Sequence, residues 1–317
     1  MTPRQVGLLA ALASIWGGSY LLIKYALEDF DAPVIVFART LLAAFVLFAA
    51  LRATGGRQAP LEALADMRAR PRTALVLGAL AVALPFTFIT LGELEVPSGL
   101  TAVLISPASL FVAMFAPFID ASERVDRRQA IGMVMGLGGV ALVVGVESVQ
   151  TLGEFLGALA MVAAAMCYAL SSFVVKGRYS GLSPIQTSFI SITVASVLTF
   201  PAAVATAPSE TPGLRAILAV VGLGVLGTAL AFVIFYVLIA EVGAGRASLV
   251  SYLAPAVALL YGALLLDEAI TLAAVVGLAL ILAGVALASR ARGGKPPSPP
   301  VSPDAPLQHT PEFQPVR

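Results

Sequence analysis

Between Val6 and Ser289 the chain alternates long apolar runs with short polar stretches. Ten runs can be drawn, at approximately 6–27, 33–51, 72–91, 98–118, 129–146, 154–175, 184–206, 215–239, 246–266 and 271–289. At a rise of about 1.5 Å per residue each is long enough to cross a hydrocarbon core of about 30 Å. The pattern therefore predicts an all-α integral membrane protein with ten transmembrane helices. The longest connection, from Arg52 to Arg72, carries most of the internal charge and reads as a loop. Residues 293–317 are rich in proline and lack an apolar period, which predicts a disordered cytoplasmic tail.

Composition supports this reading. Of 317 residues, 59% are hydrophobic and 12% charged, and the mean hydropathy is +0.96. A soluble domain is about 25% charged, so this chain lacks the polar residues to cover a water-facing surface. The net charge is +1 and the basic residues are dispersed in short loops rather than clustered, so no nucleic-acid partner is expected. Cys167 is the single cysteine, so no disulfide forms within one chain. The single histidine, His309, lies in the tail, and no His/Cys cluster offers a metal site; no cofactor is expected. The amino terminus has Arg4 and an Ala11-Leu12-Ala13 triplet, but hydrophobicity continues to Leu27. An uncleaved first helix is the better reading than a signal peptide. Abundant alanine and a preference for arginine over lysine point to a GC-rich bacterial genome.

Placement of lysine and arginine sets the orientation. With the amino terminus in the cytoplasm, inner segments receive Arg4, Arg52, Arg57, Arg68, Arg70, Arg72 and nearly all later basic residues. The outer side keeps only Lys24, Arg39 and Arg215, and its connections are acidic. Both termini are expected in the cytoplasm, in a multi-pass protein of the bacterial inner membrane.

The two halves echo each other. The segment Leu94 to Leu142 repeats at Ala240 to Leu287: Glu95 and Gly99 pair with Glu241 and Gly245, Pro107 with Pro255, Glu123 with Glu268, and Gly132 and Gly139 with Gly277 and Gly284. Near the front, Ser19, Lys24 and Pro33 pair with Ser171, Lys176 and Pro184. Five helices per half is an odd number, so the second copy lies inverted, an arrangement that allows two equivalent conformations open to opposite sides. The Trp16-Gly17-Gly18-Ser19 start, Arg39 early in the second run and the duplicated Pro…Glu…Gly…Gly order resemble the EamA-type transporters of the drug/metabolite transporter superfamily. The resemblance covers 7–145 and 153–290. It departs at Met166 and Cys167, which stand opposite Trp16, and near Ile190, which stands opposite Arg39. It implies a ten-helix secondary carrier that exports amino acids, other metabolites or drugs, with a central cavity lined by helices 1, 3, 4, 6, 8 and 9.

Candidate cavity residues follow from polar or helix-breaking positions within the runs. Pro107 and Pro255 fall inside their runs at matching places in the repeat, beside Ser106, Ser251 and Tyr252. They mark either a kink for packing or a cavity wall. Pro85 with Phe86 and Thr90 is a weaker case of the same kind. Trp16 and Tyr20 lie one turn apart with Ser19 between them, and Tyr168 and Ser172 are their second-half counterparts; Tyr236 completes the set. Lys24 reads as a helix-end tether with Glu28 one turn away, whereas Arg39 needs either a structural partner or an anionic substrate group. Glu123 and Glu268 read as helix-end hydrogen-bonding groups rather than catalytic acids. No acid lies clearly in mid-membrane, so a coupling proton is admitted but no carrier for it is visible. "GLGVLG" at Gly222 to Gly227 matches a dinucleotide fingerprint without the strand that gives the motif its mechanism, so it is a chance match.

The expected function is secondary transport of a small organic solute by alternating access, outward. A polytopic membrane enzyme, a lipid-handling protein or a non-transporting receptor are the alternatives, and no nucleophile–base pair supports the enzyme.

Overall fold

A computed structural model describes residues 1–119, 125–145, 151–179 and 181–289. Glu123 and the tail 293–317 lie outside them. The described residues hold helices and no strand. The helices are α1 (Pro3–Ala26), α2 (Ala32–Gly55), α3 (Gln58–Ala69), α4 (Pro71–Gly92), α5 (Ser98–Ile119), α6 (Arg127–Gly145), α7 (Leu152–Arg178), α8 (Pro184–Ala205), α9 (Leu214–Val242), α10 (Val250–Leu265) and α11 (Leu272–Ser289). Eight of them are long and apolar enough to cross a membrane, and α10 and α11 are shorter apolar helices.

Helix starts obey local chemistry. Thr2, Thr151 and Ser183 each accept a hydrogen bond from the third residue of their helix and form reciprocal capping boxes with Gln5, Glu154 and Gln186. Proline opens α1, α4 and α8, where its missing amide costs no bond. The stretch read as a loop between Arg52 and Arg72 is mostly helical: α2 continues to Gly55 and α3 follows. Its charges alternate with Pro60 and Ala63, which are buried, so α3 is amphipathic and not a loop.

Close helix contacts rest on glycine. A Cβ on Gly132 would stand 2.6 Å from the carbonyl of Gly284, and one on Gly139 would stand 2.7 Å from that of Gly277. These two contacts run α6 and α11 antiparallel with their backbones touching.

Polar contacts define two faces. Arg4 pairs with Glu241 at 2.6 Å, and Arg70 donates to the carbonyl of Arg178 at 2.7 Å, which brings the ends of α7 and α9 to the face bearing the amino terminus. On the opposite face, Arg215 pairs with Glu28 at 3.2 Å and Gly213 donates to Asp29 at 2.8 Å. Glu268 there accepts from the backbone amides of Ser98 and Gly99, at 2.7 and 3.1 Å, and caps α5.

Candidate functional site: a central cavity with one charged wall residue

A cavity of about 490 Å³ lies between α1, α2, α4, α5 and α7 to α11. That is within the size range of small-molecule sites, about 300–1,000 Å³. Its wall is mainly apolar and carries a set of hydroxyls.

Two irregular helix segments shape it. In α4, residues Ala79–Ala83 widen into a π-helical turn just before Pro85, whose ring cannot donate to the carbonyl of Ala81. Ala81 lines the cavity. In α9, Leu223–Leu230 form a longer π-helical stretch. This is where "GLGVLG" lies, and its glycines serve helix packing. A Cβ on Gly224 would stand 3.0 Å from the Arg39 carbonyl, and one on Gly227 would stand 2.7 Å from the Ser19 hydroxyl. In the widened turn the Thr228 hydroxyl donates to the Leu223 carbonyl, five residues back, at 2.8 Å.

Thr228 then receives Arg39. The guanidinium donates from Nη2 to the Thr228 Oγ1 at 3.2 Å and lies over the Phe86 ring, 3.9 Å from its centroid. Arg39 is 4% exposed, and its Nε has no partner among the described residues. Among the described residues it is the only charged one in the cavity wall, and no carboxylate of theirs comes within ion-pair distance of it. Arg39 thus has a structural partner and also fronts the cavity.

The structure brings Trp16, Ser19, Tyr20, Phe86 and Ser106 to this wall, together with Tyr168, Ser251, Tyr252 and Pro255. Trp16 also packs on Phe235 at a centroid distance of 5.4 Å. Ser19 donates to the Ile15 carbonyl at 2.8 Å, so its hydrogen is used within its own helix. Pro107 is buried behind the wall and interrupts α5, and Ser106 donates to the freed carbonyl of Val103 at 2.7 Å. Pro255 sits in a continuous helix, and the carbonyl it leaves unbonded belongs to Ser251, on the wall. Thr90 and Ser172 are not in the wall: Thr90 bonds the Phe86 carbonyl at 2.8 Å, and Ser172 bonds that of Ala169 at 2.6 Å. For Tyr236 only the backbone in α9 is described.

Lys24 does not pair with Glu28, which is taken by Arg215. Its ammonium instead donates to the backbone carbonyl of Glu93. Sequence reasoning missed Thr187, Ser188 and Ser191 of α8, which also line the cavity. Their signal was faint: two hydroxyls four residues apart in an apolar run, at the spacing of one helical face.

The comparisons agree with this geometry. The EamA-like transporter family matches residues 5–145 and 155–290. An uncharacterized transporter of Archaeoglobus fulgidus is 28% identical over 90% of this chain and 98% of its own length. The uncharacterized inner membrane transporter YedA of Escherichia coli K12 is 27% identical over 94% of each chain. A protein of Streptantibioticus cattleyicolor named "probable terminal-alkyne amino-acid exporter" is 28% identical over 92% of this chain and 95% of its own. A solved crystal structure superposes with a TM-score of 0.63 at 21% identity, covering 91% of this chain and 98% of that one, a likeness of fold alone. Apolar helices on this scale, gathered around one cavity, and a family match over nearly the whole described chain lead to one statement: the chain belongs to the EamA-like transporter family.

Proposed function

We propose that the chain is a secondary carrier of the bacterial inner membrane that moves small organic solutes bearing a carboxylate, amino acids foremost, out of the cell by alternating access. Arg39 carries the reading. A guanidinium buried without a counter-charge is costly, and a solute carboxylate would supply both the charge and acceptors for its free N–H groups. Trp16, Phe86 and Phe232 offer an apolar body its contact surface, and the Tyr20 and Tyr168 hydroxyls offer an amine its acceptors. The name of the S. cattleyicolor relative supports both the solute class and the direction.

In this reading ten helices span the membrane as two inverted repeats, 7–145 and 153–290, with both termini in the cytoplasm. Two observations support the inversion. The family match falls in two stretches of similar length. The glycine contacts also exchange correctly: swapping Gly132 for Gly277 and Gly139 for Gly284 turns the contact Gly132–Gly284 into Gly277–Gly139, which is the other contact seen. The cavity reaches Ser248 and Ser251, both exposed, beside the amino-terminal face, and at its opposite end meets Ile23 and Ile89, both buried. The conformation is therefore read as open to the cytoplasm.

The test is counterflow in proteoliposomes with a panel of labelled amino acids and other carboxylates. Wild type exchanges at least one of them, and Arg39→Gln raises the half-saturating concentration while Arg39→Lys recovers part of the loss. Absence of exchange across the panel by well-inserted wild type overturns the reading.

A further inference from the structure

Glu93 stands one residue past the end of α4 and is 0% exposed. Neither carboxyl oxygen has a hydrogen-bond partner among the described residues. Its neighbour Glu95 is exposed, and Glu268 on the same face caps two backbone amides. Those are the usual ways to settle an acid at a helix end. Glu93 does neither, and a carboxylate withdrawn from water without donors destabilises the fold unless it takes up a proton.

Its surroundings suit proton exchange. The charged and titratable groups that act on it are Lys24 and Tyr20 of α1, Arg39 of α2 and Glu268 from the connection between α10 and α11. On α7, packed along α4, the residues beside Gly92 are Gly157 and Met161, which bear no charge. Lys24 donates to the carbonyl of Glu93 itself and leaves the carboxyl free. Ile89, one turn back on the same face of α4, lines the cavity, as does Tyr20, one turn back from Lys24. Glu93 and Lys24 thus lie one turn beyond the end of the cavity away from the amino-terminal face. Burial holds the Glu93 carboxyl well above the usual carboxylate range, Lys24 opposes the rise and Glu268 adds to it.

We propose that Glu93 is a proton-binding site, and that the proton it exchanges is the ion coupled to solute movement. The second part rests on the carrier reading above. Uptake converts the carboxylate to the neutral acid and adds one positive charge to the region around Lys24; release of the proton removes it. Opening of the far face brings Glu93 to water on that side, and the cavity one turn away gives the route to the other.

Two measurements on the full chain separate the parts. The first is infrared difference spectroscopy of lipid-reconstituted protein across a pH titration, with no solute present. A protonated-carboxyl stretching band titrates above the ordinary carboxylate range in wild type and in Glu268→Gln, and is lost in Glu93→Gln. Should Glu93→Gln fail to fold, Glu93→Asp shifts the midpoint instead. Identical titrations in wild type and Glu93 variants overturn the site. The second is transport of a labelled amino-acid mixture in proteoliposomes, with and without an imposed pH gradient. The gradient drives accumulation in wild type, and Glu93→Gln loses that component, with any remaining counterflow independent of pH. Wild-type counterflow that a pH gradient cannot drive overturns the coupling and leaves the carrier standing. Absence of wild-type counterflow counts against the carrier and, with it, the coupling, while the infrared titration still decides the site.

Discussion

Arg39 on α2 donates to Thr228 on α9, 189 residues away along the chain, and Thr228 passes a hydrogen bond on to the Leu223 carbonyl five residues before it. The arginine that faces the cavity is therefore held by a residue in the widened stretch of α9.

Thr228→Val removes the hydroxyl and leaves one guanidinium N–H of Arg39 unsatisfied. A loss of about 1–3 kcal/mol of stability is expected, read as a lower unfolding midpoint in detergent. Thr228→Ser, which keeps the hydroxyl, recovers most of it.

Two adjacent glycines of α6 should behave oppositely. A Cβ on Gly139 meets backbone atoms of Gly277 and Ile281 at 2.7 and 3.0 Å, while one on Gly138 meets nothing within 4 Å. Gly139→Ala is expected to destabilise by about 1–3 kcal/mol through overpacking. Gly138→Ala is expected to be neutral or to gain up to about 1 kcal/mol from helix propensity. Thermal unfolding of the pair, side by side, checks the contact.

Stability should fall with rising pH through Glu93. Burial raises its carboxyl above the ordinary value, so the unfolded chain releases the proton at a lower pH than the folded one. The contribution of the neutral acid is complete below the unfolded carboxylate pKa and is lost as pH rises toward the raised folded value. Unfolding midpoints of wild type across that window decline more steeply than those of Glu93→Gln; parallel profiles refute the assignment.

Orientation is checked with single cysteines in a Cys167→Ser background. Arg57 and Asp31 are both exposed and lie on opposite faces in the proposed topology. An impermeant reagent added to intact cells labels Asp31→Cys and spares Arg57→Cys; the reverse pattern inverts the topology.

Much of this was legible in one dimension because lipid imposes a severe rule: every backbone amide is satisfied within its own helix, so apolar runs map onto helices almost directly. Arg39, Trp16 and Tyr20 stood out for the same reason, as polar or bulky groups where the run demanded neither. Glu93 did not stand out. It ends its run two residues before Glu95, and no local pattern distinguishes the buried acid from the exposed one; the difference comes from α1 and the α10–α11 connection, distant in sequence. α3 was hidden because its charge density reads as loop, with only Pro60 and Ala63 buried in a helix of 12 residues. The widened turns of α4 and α9 have no composition of their own, and Pro85 hints at only one of them.

The paired glycines of α6 and α11 have a mechanical consequence. In the proposed alternating-access cycle, exchange of shapes between the two halves sends their contact onto itself, so this seam would need no rearrangement when the cavity turns from one side of the membrane to the other. On that reading it acts as a fixed axle, with the moving walls, Arg39 and Glu93 among them, swinging around a joint where backbone meets backbone at Gly132–Gly284 and Gly139–Gly277.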